Sequence, residues 1–280
     1  MLALLAVLVS GAVGDPASPP LKTLAAPAGA QVGFLAVDLA TRRSIALNEG
    51  TAFPLQSVFK VPVAIEVLRR VDAGELSLSE LVVLRASDRR QGNQLTMKVP
   101  ARRTVEALLE AMLVSSDNIA CDKLLAMIGG PPAVDARMKV LGIDGIDIRS
   151  SEKDLAAGQP DNKATPTAIV ALLEKLAKRQ IGLADTSVQR LEAWLSAVKT
   201  GPNRIKGALP TGTVVAHKTG MSATVAGLTD ATNDVGLVTL PDGRRIAIAA
   251  FIHASRADEQ ARDRVIAQMA RAAFDALSAK

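Results

Sequence analysis

The chain predicts an α+β fold, in which strands from both ends of the sequence share one antiparallel sheet and an all-helical lobe is inserted between them. Three observations predict it. Apolar runs of strand length lie at 31–48 and return at 214–252. Between them, apolar residues recur at helical spacing. A last helical stretch, 257–277, stands where it can cover the sheet. With 280 residues, 49% of them hydrophobic and 22% charged, the chain can bury a large core. Residues 21–50 with 212–280 are expected to form the sheet lobe and 51–211 the helical lobe of a single domain. A ligand site is expected in the crevice between them.

The elements follow in order. Residues 2–9 are an unbroken apolar run, followed by Ser10, Gly11, Ala12, Val13 and Gly14. That is the pattern of a signal-peptide core with a small-residue cleavage site, too short for a bilayer, which takes about 20 residues. Residues 1–20 are therefore expected to be signal peptide and leader, and the protein periplasmic or secreted, without a stable membrane anchor. Strands are expected at 31–38 and 43–48, joined by a polar turn. Helices follow at 57–71, closed by Gly74, at 104–112, capped by Thr104, and at 118–128, stopped by Gly129-Gly130. Thr165-Pro166 pairs a cap with a proline at the first helical position and opens a helix to about 179. Ser187 opens another through 198. Strands return at 214–218, then in a hairpin, 234–240 and 244–252, across Pro241-Asp242-Gly243. Residues 143–163 lack a period and hold Gly145, Gly158 and Pro160. They read as a long ordered loop, a kind that is often functional.

Composition removes several chemistries. Cys121 is the single cysteine, so no disulfide can form within the chain. His217 and His253 are the two histidines, and with Cys121 they cannot build a His/Cys-rich zinc site without carboxylates. The net charge of +5 is dispersed, and aromatic residues are 2% with no tyrosine, so nucleic acid is not an expected partner. A Ser-His-Asp triad would have to recruit one of the two histidines, so any catalysis is expected to run on Ser, Lys, Glu or Asp.

Three short motifs fit that restriction. Ser57-Val58-Phe59-Lys60 sets a lysine one helical turn from a serine, where a lysine can serve as the base that a serine nucleophile needs. Alone it is weak: chance supplies Ser-x-x-Lys about 0.7 times, and Ser150 to Lys153 and Ser196 to Lys199 match as well. Ser116-Asp117-Asn118 arises by chance ~0.02 times and also reads as a helix N-cap. Lys218-Thr219-Gly220, ending a strand after His217, arises ~0.05 times.

Together and in this order, the three resemble the serine penicillin-recognising enzymes, and class A β-lactamases in particular. The stretches 53–60, 116–122, 164–168, 216–220 and 231–236 are similar to the extended-spectrum branch typified by the PER, VEB and CfxA enzymes. The resemblance covers about residues 25–278. It implies a three-layer α/β/α architecture with a five-stranded antiparallel sheet, acting as a monomer on a small-molecule β-lactam substrate without metal or cofactor. It also implies roles. Ser57 attacks the lactam carbonyl, with its own N–H and that of Met221, after Gly220, as oxyanion hole. Lys60 or a water bound by Glu152 takes the Ser57 proton. Ser116 relays a proton to the lactam nitrogen, Asn118 binds the substrate's side-chain amide, and Lys218, Thr219 and Arg204 receive its carboxylate.

Glu152-Lys153-Asp154-Leu155 matches the family's Glu-x-x-Leu-Asn, but Ala156 stands where asparagine is usual. The glutamate activates the deacylating water in that family. The family's Arg-Asp tie across this loop is not evident, and Arg149 with Asp161 or Asn162 are the candidates to replace it. A D-Ala-D-Ala carboxypeptidase or penicillin-binding protein, and a β-lactam sensor that stays acylated, are the alternatives that Ala156 leaves open. Cys121 and His217 read as structural.

Overall fold

The computed structural model describes residues 20–89, 98–159 and 161–279, so the expected signal segment lies outside the described residues apart from Pro20. In chain order the elements are α1 (Leu21–Ala25), β1 (Gln31–Asp38), β2 (Ser44–Leu47), β3 (Phe53–Pro54), α2 (Lys60–Asp72), β4 (Leu81–Leu84), β5 (Ala101–Thr104), α3 (Val105–Val114), α4 (Asn118–Ile128) and α5 (Pro131–Val140). There follow β6 (Ile146–Asp147), α6 (Glu152–Ala156), β7 (Lys163–Ala164), α7 (Pro166–Ala177), α8 (Asp185–Ser196), β8 (Val215–Met221), β9 (Thr224–Val225), β10 (Leu228–Thr239), β11 (Arg245–Ser255) and α9 (Glu259–Ser278).

The main sheet runs β2-β1-β11-β10-β8, antiparallel throughout, with β9 added on β10 as a sixth, two-residue strand. β1 is buried from Val32 onward, as a strand covered on both faces must be. Alternate side chains leave opposite faces. Val32, Phe34 and Ala36 join Ile246, Ile248, Ala250 and Ile252 under α1 and α9. Leu35 and Val37 join Ala247, Ala249, Phe251, Val235 and Ala216 against the helical lobe. The sheet is thus the middle of three layers, with a core on each side, and each fully buried Leu, Ile or Phe contributes roughly 1.5–3 kcal/mol.

Packing on the lobe face sets the position of the Ser57 segment. Phe53 stacks on Phe251, ring centroids 5.6 Å apart. Gly33 leaves room for that ring, because a Cβ there would stand 2.2 Å from Phe53 Cε2. The next residues are held by hydrogen bonds. Asn233 Nδ2 donates to Pro54 O (2.7 Å) and Leu55 O (3.1 Å), and Leu55 N donates to Asn162 O (2.8 Å).

Several elements differ from expectation. Within the stretch expected to be helical, β4 and β5 form a two-stranded sheet whose Ala-Arg-Arg-Thr strand has no apolar alternation to announce it. Helix α5 is an addition: Pro131-Pro132 start it rather than mark a break, and only Val134 and Met138 are buried on it. Helix α8 begins at Asp185 rather than Ser187. Ser187 does not cap it; its hydroxyl donates to Asp72 Oδ1 (2.6 Å), and Asp72 Oδ2 accepts the Ala184 N–H (2.7 Å). The loop at 143–163 contains β6, the short helix α6 and the first residue of β7.

Candidate active site

Ser57 lies in a 3-10 turn, Gln56–Phe59, that runs directly into α2. Gln56 holds φ 45, a left-handed conformation that costs a non-glycine residue of order 1–2 kcal/mol. Lys60 opens α2 with its side chain fully buried. Its Nζ lies 3.1 Å from Ser57 Oγ, 2.8 Å from Ser116 O, 3.2 Å from Ser116 Oγ and 2.6 Å from Asn118 Oδ1. Glu152 Oε1 stands 2.8 Å away as an ion pair, buried and without an aligned hydrogen bond.

Ser116-Asp117-Asn118 serves both readings of the triplet at once. Asp117 caps α4, accepting the Ala120 N–H at 2.9 Å. Ser116, before it, takes φ 58, and both its carbonyl and its hydroxyl reach Lys60. The hydroxyl also lies 3.0 Å from Lys218 Nζ, so Ser116 bridges two lysines.

Strand β8 supplies the opposite wall. Lys218 is fully buried beside Ser116, and its ammonium also donates to Thr219 O at 3.0 Å. Burial, and then the nearby Lys60 charge, push the Lys218 pKa well below the usual lysine value; Glu152 and Asp234 pull the other way. Gly220 is required by a close approach: a Cβ there would lie 2.5 Å from Leu55 O and 3.2 Å from Ser57 N. Ser222 N donates to Ala231 O across the ladder. Alternation along the strand then turns the Met221 N–H off the outer edge, toward the cleft.

Arg204 is buried and lines the cleft together with Thr200, Gly201 and Thr219. Its Nε donates to Asp263 Oδ1 on α9 (2.8 Å), and Nη1 donates to the carbonyls of Asn233 (3.1 Å) and Gly220 (3.3 Å). Thr200 and Thr219 share a hydrogen bond between hydroxyls at 2.5 Å. The cleft between Ser57, Ser116 and β8 has a volume of about 220 Å³, and Glu259 stands at its rim.

Helix α6 carries Glu152 at its first position. Ser151 caps it through a capping box with Asp154. Arg149 turns out not to tie this loop across: its side chain pairs with Asp147. The tie is the buried Asn162 amide, which accepts the N–H groups of Arg149 (2.7 Å) and Ser150 (2.9 Å) and donates to Ser150 O (2.9 Å). Ala156, one turn beyond Glu152, is exposed.

The ten residues expected to act in catalysis or substrate binding converge on this cleft or its buried floor. Sequence reading missed Thr200, Asn233, Asp263 and Glu259, which arrive from separate elements; only the Thr200 to Arg204 run and Asn233, inside a stretch already noted, carried a signal. His217 points to the other face of β8, where Nδ1 meets Asp234 Oδ1 at 2.8 Å. Cys121 is fully buried, and its thiol pKa is pushed up by that burial. Among the described residues, no group of three or more His, Cys, Asp or Glu is clustered to hold a metal ion.

The β-lactamase enzyme family model matches residues 17–277. The chain is 35% identical over 241 residues to the extended-spectrum β-lactamase PER-1 of Pseudomonas aeruginosa, covering 81% of this chain and 76% of that one. It is 31% identical to β-lactamase VEB-1 of the same organism, covering 95% and 91%. Among solved structures, a β-lactamase from Chitinophaga pinensis superposes with a TM-score of 0.89 at 35% identity, over 94% of this chain and 100% of that one. The TLA-3 extended-spectrum β-lactamase also gives 0.89, at 30% identity, over 94% and 98%.

Proposed function

The chain belongs to the β-lactamase enzyme family, in its class A extended-spectrum branch, and hydrolyses β-lactams, conferring resistance to them; on that premise we propose which residues carry the reaction. Ser57 Oγ attacks the lactam carbonyl carbon while the N–H groups of Ser57 and Met221 hold the developing oxyanion. The Ser57 proton passes to Lys60, or through a water to Glu152. Ser116, between the two lysines, delivers a proton to the lactam nitrogen as the ring C–N bond breaks. Lys218, Thr219 and Arg204 take the substrate carboxylate. Asn118 spends its Oδ1 on Lys60, so its amide N–H is what it offers the substrate's side-chain carbonyl. Glu152 then takes a proton from the water that attacks the acyl carbon, and Ser57 leaves with a proton returned by its neighbours.

One observation carries the reading: Lys60 Nζ lies within 3.2 Å of Ser57, Ser116 and Glu152 together. The two-lobe division, 21–50 with 212–280 against 51–211, belongs to the same reading, with the cleft between the lobes. So does a monomeric state, and so does export to the periplasm or beyond, which the apolar run at 2–9 supports. Among the described residues, no helix is long and apolar enough to cross a membrane.

The test is a chromogenic cephalosporin at limiting enzyme. The wild-type chain should give many turnovers. Ser57→Ala should form no adduct by mass, and Glu152→Ala should accumulate an acyl-enzyme on Ser57 and release it slowly. Normal turnover by Glu152→Ala would overturn the assignment of the deacylation base. A single stoichiometric burst from the wild type would mean acylation without release and favour a penicillin-binding or sensing role.

A further inference from the structure

Helix α9 meets the cleft with its first turn. Asp258 caps it by accepting the Ala261 N–H at 2.7 Å. Glu259, Asp263 and Ala267 follow at a spacing of four, so they share one face. That face borders a cavity of about 680 Å³ running alongside α9, with Asn203 and Gly207 on its far side. Asp263 is committed to the Arg204 guanidinium. Glu259, one turn earlier, is exposed and lines both this cavity and the Ser57 cleft. It makes no ion pair among the described residues.

The geometry of a bound substrate follows from the site proposed above. With the lactam carbonyl at Ser57 and the carboxylate at Lys218, Thr219 and Arg204, a cephalosporin's 3-substituent sits on the carbon next to the one bearing the carboxylate. It therefore leaves the cleft past Arg204, toward Glu259 and the larger cavity. The cations near that exit are already countered or turned away. Arg204 is paired with Asp263, and Lys60 with Glu152. Arg262 is buried and donates to Thr232 Oγ1, and it feels the Glu259 charge from below the surface without an ion pair to it. Arg264 borders only the outer cavity. Glu259 is the exposed carboxylate that lines both the cleft and the outer cavity.

We propose that Glu259 is a specificity residue for the group beside the substrate carboxylate, and that it favours cephalosporins whose 3-substituent is cationic, a quaternary ammonium or pyridinium. This rests on the β-lactamase reading of the Ser57 cleft. An exposed carboxylate gives a modest, salt-sensitive preference.

The experiment uses two cephalosporins with the same acyl side chain, one with an acetoxymethyl and one with an N-methylpyrrolidiniomethyl 3-substituent. The quantity read is the ratio of their kcat/KM values, cationic over neutral. Glu259→Gln should lower the ratio about two- to threefold, the scale of an exposed ion pair. Glu259→Lys should lower it further, Arg264→Gln should not lower it, and high salt should shrink the wild-type ratio toward that of Glu259→Gln. If the wild type turns over both compounds and neither Glu259 variant moves the ratio, the inference is overturned while the β-lactamase reading stands. If Arg264→Gln lowers the ratio as Glu259→Gln does, Glu259 has no special role and the inference is overturned as well. If the wild type turns over neither compound, the underlying reading of the cleft has failed.

Discussion

Lys60 is offered five oxygens and has at most three protons. Its neighbours therefore cannot all be acceptors at once, and a proton can move among Ser57, Lys60 and Ser116 with little movement of heavy atoms. Lys60→Arg keeps the charge but removes the proton acceptor, because a guanidinium does not deprotonate. Acylation measured before steady state should slow by about 10³-fold. Lys218 presents the complementary case. Its pKa is lowered chiefly by burial, so carrying its charge costs stability in full below the depressed value, and that cost fades as pH climbs from there to the usual 10.5. The same climb removes the charge that receives the substrate carboxylate. A pH profile of kcat/KM should therefore fall on an alkaline limb centred below 10.5, and the limb should be absent for the methyl ester of the same β-lactam. At Gly220 the constraint is steric. Gly220→Ala pushes β8 off the Ser57 turn by setting a Cβ 2.5 Å from Leu55 O, and misplacing one oxyanion donor should lower kcat about 10²-fold.

The loop that carries Glu152 is held by one side chain rather than by an ion pair. Asn162 makes three hydrogen bonds to the 149–150 backbone, and its own carbonyl holds Leu55 N. Asn162→Ala takes three hydrogen bonds from the 149–150 backbone, two of them buried, which should lower stability by about 1–3 kcal/mol. It should slow deacylation more than acylation, seen as acyl-enzyme accumulating by mass. Asn162→Asp keeps both acceptor bonds and loses the donated one, so it should recover much of the loss. Ala156 offers no group to a water beside Glu152, and Ala156→Asn should raise the deacylation rate. Elements of this kind were unevenly legible. The helices at 118–128 and 166–177 announced themselves through an Asp cap, a Gly stop and a Thr-Pro start. Helix α5 did not, because Asp135, Arg137 and Lys139 break its apolar stripe. The Asn162 tie could not be read, because a side-chain amide bonding to backbone leaves no charge pair in the sequence.

At the scale of the whole molecule, the site residues with motif spacing were readable and those assembled by tertiary folding were not. Ser57 with Lys60 and Lys218 with Gly220 are local. Asp263 and Glu259 reach the cleft only because α9 packs across β11, β1 and β10, and no spacing rule connects them to Ser57. β1 and β11 are buried at nearly every position, as strands covered on both faces must be. What covers each face decides the last prediction. A chain ending at residue 256 keeps all eleven strands and the Ser57, Lys60, Ser116, Glu152 and Lys218 set, but it lacks α9. Val32, Phe34, Ile246, Ile248 and Ile252 would then lose their cover, and Arg204 would lose Asp263, leaving a buried charge unpaired, which costs several kcal/mol. The truncated chain should fail to give a cooperative thermal transition and should not turn over a chromogenic cephalosporin. Phe274→Ala separates packing from the ion pair. It removes a nearly buried ring from the α9 face of that core and leaves Asp263 in place. It should cost ~3–5 kcal/mol and lower Tm by ~10 °C, while the folded fraction keeps its kcat. Retained activity in the truncated chain would mean that the lobe-side core alone holds the cleft together, and that α9 serves the site only through Arg204 and Glu259.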